Sequence, residues 1–416
     1  MSVMKIIVPV SIVPDIYYPV ENHISHGGIS VTDEYLDINP LDKQTLSSAM
    51  TLTDDVEVIH IGESPREKAL RYIMAMGAKN LTHIKASSLD AYCTAYHLYT
   101  HIEKKEYDII MCSNSSWDYA SGQTPEYLSQ LLGVPIIKDV SHIEKDSKGH
   151  IHITCSHSDF IEHHDDIHTP VILSCDKSIF PAESVKIPSM RDMMMSMRMP
   201  INTITSSANP QPHTTYSDYH PASPRPKVKM LSLDEMDVII DIIGGNDFSS
   251  SRQKEDSVTL FSGRVEASMS SSISPQPMPY PHTGRIETLP AHNDIKNASI
   301  IISGGMGCTA DDWKMIDDIA ADINAAVGCT RPVFHSGTRP YYQHIGQTGT
   351  RVAPQVYLAL GISGALQHIG GMMHSGVVIA VNTDPHAAIF SYSDYGIVAP
   401  ASTFLKVLKE SLTHKT

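Results

Sequence analysis

The sequence is short of positive charge: 31 lysines and arginines stand against 46 aspartates and glutamates, a formal net charge of −15. That balance argues against nucleic acid and anionic membrane surfaces as partners. Long apolar runs are missing too, and no stretch approaches the length needed to span a bilayer. Ile6 to Val13 is too short and too interrupted by proline for a signal peptide, and reads as a first strand. Cys93, Cys112, Cys155, Cys175, Cys308 and Cys329 show no paired metal-ligand spacing, which predicts free thiols in a reduced, cytoplasmic chain. No nicotinamide-binding fingerprint is present. What remains is an ordinary globular composition, 41% hydrophobic over 416 residues, long enough for two or three domains. The 20 methionines are unusual, and several cluster between Met190 and Met199.

Residues Asn297 to Asp394 carry the most information. The β-branched run Ile300 to Ile302 ends in a glycine turn, Ser303-Gly-Gly-Met-Gly307. Trp313, Ile316, Ile319, Ala320 and Ile323 then recur at helical spacing, and Thr309-Ala-Asp-Asp312 is a capping-box start. A strand, a glycine turn and a helix N-terminus form an anion-binding arrangement suited to a pyrophosphate, although many α/β proteins use such a turn for packing alone. Downstream lie Ala326-Val-Gly-Cys-Thr-Arg-Pro332, Gly346-Gln-Thr-Gly349, Gly361-Ile-Ser-Gly-Ala-Leu-Gln-His368, Asn382-Thr-Asp-Pro385 and Asp394-Tyr-Gly-Ile-Val398.

Before this region, strands are predicted at Met4 to Val13, Val56 to Ile61 and Tyr107 to Cys112, with helices at Pro65 to Met76 and Thr124 to Leu132. Strands alternating with helices imply a doubly wound parallel sheet. Ile151 to Asp166 alternates like an antiparallel hairpin, and Glu162-His-His-Asp-Asp166 reads either as a metal cluster or as a solvated turn. Around Ile187, which precedes a proline, the chain is extended. The methionines that follow, Met190, Met193, Met194 and Met197, either pack on the core or offer an adaptable interface. Thr205 to Lys227 and Gly244 to Asp256 read as exposed linkers, separated by a strand and short helix at Val228 to Ile243.

The order of the C-terminal motifs resembles the FAD-binding domain of the electron transfer flavoprotein α subunit, nearly without gaps from residue 297 onward. Val13-Pro-Asp15, Asn39-Pro-Leu-Asp42, Ala69 to Ala78, Asp118-Tyr-Ala-Ser-Gly-Gln123 and Ile187-Pro-Ser-Met190 resemble the β subunit, closest to the carnitine-metabolism branch. The resemblance implies an α/β fold of two doubly wound parallel-sheet domains joined by Pro/Ser-rich linkers. They are a β-like nucleotide-binding domain at 1–204 and a Rossmann-like FAD domain at 297–416. A linker with the β subunit's tail fills 205–256, and an α-like connecting segment 257–296. The α subunit's own N-terminal domain is missing, which leaves a surface for a homodimer partner or for the β part to cover.

The same resemblance implies one FAD, held by Gly304, Gly305, Gly307, Thr330, Arg331, Gly346, Gln347, Thr348, Ser363, Gly364, Ala365, Gln367, His368 and Asn382. Arg331 would lie near the isoalloxazine, Thr348 at its N5 and His368 at its N1/O2 edge, while Asn382 falls on the adenosine side. Read without the family, Arg331 is a surface residue at a strand start, Thr348 a turn residue, and His368 a cap or core residue. Met306 and Pro400 stand where the family usually has arginine and aspartate, which weakens the clamp. Pro9, Asn39, Asp118, Gln123 and Thr124 fall on a site that holds AMP, or a second flavin in some members. Ile187 falls where an apolar anchor meets a dehydrogenase. The implied partners are an acyl-CoA-dehydrogenase-like flavin dehydrogenase and a quinone or other redox partner. A rival expectation is an adenine-nucleotide-binding module that has lost its flavin.

Overall fold

The computed structural model describes residues 4–15, 23–25, 28–87, 90–116, 118, 121–157, 160–165, 167–221, 226–244, 265–270, 274–281, 284–288, 295–347 and 349–415. Asp166, Thr348, residues 245–256 of the expected second linker and residues 257–264, 271–273, 282–283 and 289–294 of the expected connecting segment lie outside them. The chain divides into two compact units. Unit 1 comprises residues 1–157, 161–222 and 254–287, and unit 2 comprises 158–160, 223–253 and 288–416.

Unit 1 is built on strands buried on both faces. In chain order its elements are β1 (Lys5–Val10), α1 (Pro40–Leu52), β2 (Asp55–Gly62), α2 (Glu67–Met76), β3 (Asn80–Lys85), α3 (Ala91–Ile102), β4 (Ile109–Ser113), α4 (Thr124–Leu132), β5 (Ile136–Lys145), β6 (Ile151–Ser156), β7 (Phe160–His164), β8 (Val171–Cys175), α5 (Met190–Ser196), β9 (Asn202–Thr205) and β10 (Thr215–Pro221). The sheet order is β9-β3-β2-β1-β4-β8-β5-β6-β7, parallel as far as β5 and antiparallel thereafter. Alternate residues of β1 feed two cores. Ile6 and Val8 pack with Leu46 and Ile73 of the α1/α2 side, and Ile7 with Leu98 and Leu128 of the α3/α4 side. The predicted inward face of α2, Ala69, Leu70, Ile73 and Met76, is buried, and Gly77 at φ +133° ends the helix as only glycine readily can.

Three expectations change here. The His-rich stretch forms the expected hairpin, but Glu162-His-His is strand, not a turn tip. Glu162 and His164 point inward, with His164 Nε2 3.0 Å from a Glu162 carboxylate oxygen. Among the described residues, no group of three or more His, Cys, Asp or Glu is arranged to hold a metal ion. The first expected linker is partly ordered onto the unit: β10 pairs with Val265–Ser270, and the His213 ring stacks 3.7 Å from that of Tyr92. Asp90 explains the placement. One of its oxygens caps α3 through the Cys93 amide, and the other accepts from the amides of His213 and Thr214. Finally, the methionines of α5 do not pack on the core: Met190, Met194 and Met197 are exposed and Met193 is half-buried.

Unit 2 contains α6 (Met236–Ile243), β11 (Ile300–Gly304), α7 (Ala310–Asp322), β12 (Ala326–Cys329), α8 (Arg331–His335), β13 (Val356–Leu360), α9 (Leu366–Met372), β14 (Val377–Asn382), β15 (Tyr395–Val398) and α10 (Ala401–Lys415). Its sheet is wholly parallel, ordered β15-β14-β13-β11-β12, and Lys229–Met230 adds a parallel strand beyond β15. The strand and short helix expected at 228–243 are therefore present and belong to this unit. Ile239, Ile240 and Ile243 of α6 share a core cluster with Phe404, Leu405 and Leu408 of α10. Tyr357, Ile369, Met372 and Ile389 fill the opposite face. Both units are thus doubly wound α/β layers. No helix among the described residues is long and apolar enough to cross a membrane.

Replacing Asp90 by alanine removes the α3 cap and the acceptor of two further amides at once. It should destabilise unit 1 by about 2 kcal/mol, at the upper end for a cap, and expose the 205–214 segment to protease. A urea midpoint unchanged from the native chain would show that Asp90 does not hold this segment.

Candidate functional site

In an open α/β sheet, ligands meet the carboxyl ends of the strands where the strand order reverses. In unit 2 that point lies between β11 and β13. The two loops that leave them touch backbone to backbone. A Cβ on Gly305 would lie 2.2 Å from the Gly361 carbonyl oxygen, and one on Gly307 2.9 Å from the Gly361 Cα. The amides of Gly305 and Gly307 donate to Leu360 O and Gly361 O. Gly304 has a different reason: its absent Cβ makes room for the Trp313 ring of α7. Gly361 and Gly364 both adopt positive φ, and Gly364 lies against the backbone of Ile389. The expected capping box of α7 is formed, with Thr309 and Asp312 bonded reciprocally. Thr330, Arg331, Ser363 and Ala365 follow the ends of β12 and β13, and Asn382 ends β14, on the same crest, which the sheet topology brings together from distant sequence.

Several nominated residues serve the crest from within. Asn382 Nδ2 donates to Ile362 O, and its Oδ1 accepts from the Asp384 amide, so it fixes two loops. Gln347 is buried, and its amide donates to Gln367 O. His368 is buried as well. Its Nδ1 faces the Ile345 carbonyl at 3.0 Å, which can only accept, so Nδ1 carries the proton and Nε2 accepts from the Tyr357 hydroxyl at 2.9 Å. Burial pushes the imidazole down to about 4. Both ring nitrogens are engaged within the unit. Arg331 opens a helix, not the strand start first read there, and its exposed guanidinium donates to His335 Nε2. Met306 is exposed at the tip of the turn. Three glycines not counted among the site residues matter equally. Gly361, at the head of the motif that runs to His368, receives the first turn, while Gly370 and Gly371 let the Gly346–Gln347 loop lie on α9. The double glycine was the local signal of the last two.

The chemistry of this crest fits a dinucleotide. The surface offers backbone amides at a helix N-terminus, hydroxyl and carboxamide groups and one guanidinium, while the Asp312 carboxylate at that terminus is tied into its cap. Unit 2 also has a cleft of about 550 Å³ between α7 and residues 338–343, and none of the nominated residues line it.

Unit 1 has a cavity of about 440 Å³ at its own switch point, between β1 and β4. Pro9, Asp118 and Thr124 line it, beside Ser113, Ser115, Ser116, Ser121 and the start of α4. Asn39 stands behind the wall, buried, with its Nδ2 donating to Ser113 Oγ and Ser115 O. Gln123 precedes α4 and accepts from Tyr127 N rather than lining the cavity. Asp42, which the sequence reading did not single out, forms part of the wall. It accepts from the Ser11 amide at 2.6 Å and from the Ser113 hydroxyl, yet burial pushes its carboxyl up to about 7.

Fold and crest thus define a two-unit, doubly wound α/β protein. Residues 29–209 match the electron transfer flavoprotein domain and residues 294–373 the electron transfer flavoprotein FAD-binding domain. The chain is 43% identical over 123 residues to the mitochondrial electron transfer flavoprotein subunit alpha of Oryza sativa subsp. japonica, covering 29% of this chain and 34% of that protein. It is 40% identical over 123 residues to protein FixB of Rhizobium meliloti, 29% and 35% of the two chains. To the alpha subunit of Pseudomonas aeruginosa it is 45% identical over 107 residues, 26% and 35%. The chain therefore carries electron transfer flavoprotein domains, the C-terminal one of the FAD-binding, α-subunit kind, and it spans about a third of the length of these relatives.

The buried neutral His368 makes unit 2 acid-sensitive. The unfolded chain takes up a proton near 6.5 and the folded one only near 4. Stability is therefore complete above pH 6.5 and declines as pH falls toward 4, by up to about 3 kcal/mol. His368→Phe should be less stable at pH 7 and lose less stability on acidification. Equal acid slopes in urea titrations of the two proteins would contradict the buried, neutral assignment.

Proposed function

We propose that this chain is a single-chain electron transfer flavoprotein, a β-like part joined to an α-type FAD-binding part, that carries electrons through one FAD. The observation that supports it best is the coincidence of the glycine crest at the β11/β13 switch point with the match to the FAD-binding domain over residues 294–373. Bound there, FAD would supply the acceptance and release of single electrons. The Met306 amide at the tip of the turn and the amides at the α7 N-terminus would hold the diphosphate, while the Gly305 and Gly307 amides, donated to Leu360 O and Gly361 O, keep the two loops together. Gly346, Gln347, Ser363, Gly364, Ala365 and Gln367 would flank the ring system, with Thr348 completing that loop. Arg331 would provide the fixed positive charge beside the ring. With Met306 at the tip of the turn, the clamp relies on dipoles more than on charge. The unit 1 cavity would hold AMP, with its phosphate at the start of α4. Electron transfer needs approach and a tuned potential, so no nucleophile or proton relay is required, and the protein is a carrier rather than a substrate-transforming enzyme.

The partners in this reading are an acyl-CoA-type dehydrogenase and a quinone-type or other acceptor, met in the cytoplasm, and the chain works as a homodimer. Ile187 is the docking anchor: it stands exposed in an extended segment just before α5.

An absorption spectrum of the purified chain should show flavin bands, and dithionite should bleach them in two one-electron stages. A chain that stays colourless after refolding with FAD would favour the adenine-nucleotide module instead. Ile187→Asp should leave the spectrum and the melt unchanged and slow reduction by an acyl-CoA dehydrogenase roughly 30-fold, the loss of an interface hot spot. Unchanged reduction would remove Ile187 from docking.

A further inference from the structure

The helix α5 is held in place by everything except its methionines. Ser189 and Asp192 form a full capping box at its start. At its end the Arg71 guanidinium, reaching from α2, donates to Ser196 O and Met199 O. Lys186 adds a bond to Ala75 O and an ion pair to Asp192. Ser196 is its buried residue. By contrast, Met190, Met194, Met195 and Met197 are 82%, 66%, 60% and 64% exposed. Four large apolar side chains thus contribute nothing to the core, and their thioethers face water within eight residues of one another.

The cysteine sulfurs are protected. Five of the six cysteines are buried and Cys308 is half-buried. Burial pushes the thiols of Cys155, Cys308 and Cys329 up to about 12, so they carry almost no reactive thiolate at neutral pH. Met74, Met76, Met111, Met236 and Met372 are buried, while Met230, Met278 and Met306 are exposed singly.

We propose that the exposed methionines of α5 and its C-cap are a site of reversible oxidation to the sulfoxide by hydroperoxides, which makes this face polar and switches off the docking proposed for Ile187. The thioether sulfur attacks one peroxide oxygen and the O–O bond breaks. A sulfur–oxygen bond forms as sulfur loses two electrons, and the departing hydroxide, or the alkoxide of an alkyl hydroperoxide, takes the proton from the new sulfur-bound hydroxyl and leaves as water or an alcohol. The product is polar and chiral where an apolar, adaptable chain stood. Because the helix is fixed by its backbone partners, the change leaves the fold intact. The consequence for docking rests on the reading of Ile187 as the anchor.

The test is hydrogen peroxide titration of the full chain, followed by peptide mass mapping, a thermal melt and the rate of reduction by an acyl-CoA dehydrogenase. Met190, Met194, Met195 and Met197 should convert at least about tenfold faster than the buried methionines, given their exposure. The melt should stay unchanged and the reduction rate fall. Methionine sulfoxide reductases should restore the rate, and the M190L/M194L/M195L/M197L variant should keep it under peroxide. Uniform oxidation across the chain, a melt that falls in step with conversion, or an undiminished rate after conversion would each overturn the proposal. If conversion leaves the rate intact while Ile187→Asp abolishes it, the switch fails and the anchor survives. If neither changes the rate, the anchor fails with it.

Discussion

The crest of unit 2 depends on one constraint: two loops leaving parallel strands must lie backbone against backbone. A side chain at Gly305 or Gly307 would collide with the main chain of Gly361. Close approach of two backbones leaves a surface made of peptide dipoles at the strand ends. Such a surface can face an anion without any lysine. A chain of net charge −15 can therefore carry an anion site without concentrating cations around it. The side chains of the region then serve the loops. Asn382 pins the loop after β13 to the turn after β14, and His368 joins Tyr357 to the carbonyl of Ile345.

Unit 1 reaches a similar end by different means. Its switch point is braced by polar side chains: Asn39 and Asp42 tie Ser11, Ser113 and Ser115 together across three loops. Each unit buries titratable groups whose charged form is disfavoured, among them Asp42 in the first and His368 in the second. Burial moves them in opposite directions, the acid up and the base down, because in both cases it disfavours the charged form. Acid therefore opposes the histidine and relieves the carboxyl.

The doubly wound architecture was legible because buried parallel strands announce themselves as short β-branched runs, and α2, α4 and α7 carried their own periodicity and termini. The crest was legible as far as its glycines sit in one turn. What escaped depends on contacts distant in sequence. Gly361 matters because of Gly305, and Asp42 because of Ser113, and neither pairing has a local signature. The hairpin at Ile151 was read from alternation, but alternation gives a period, not a direction: Glu162 and His164 turned out to face inward. The segment before β10 looks like a linker by composition, and two amide bonds to Asp90 place it on the unit. For His368, the sequence reading assigned the ring a ligand, while the fold gave both its nitrogens to protein atoms.

Crest and α5 are fixed in opposite ways, and this bears on how each can change. At the crest, backbone atoms form the surface and side chains lock it, so a substitution disturbs geometry before it alters chemistry. On α5, backbone atoms are locked by Arg71 and the capping box, and side chains form the surface. A substitution or an oxidation there alters chemistry and leaves geometry alone, since exposed side chains hold little of the folding energy. A ligand that is the same for every molecule suits the first arrangement. A face that must fit different partners, and be changed without unfolding the protein, suits the second.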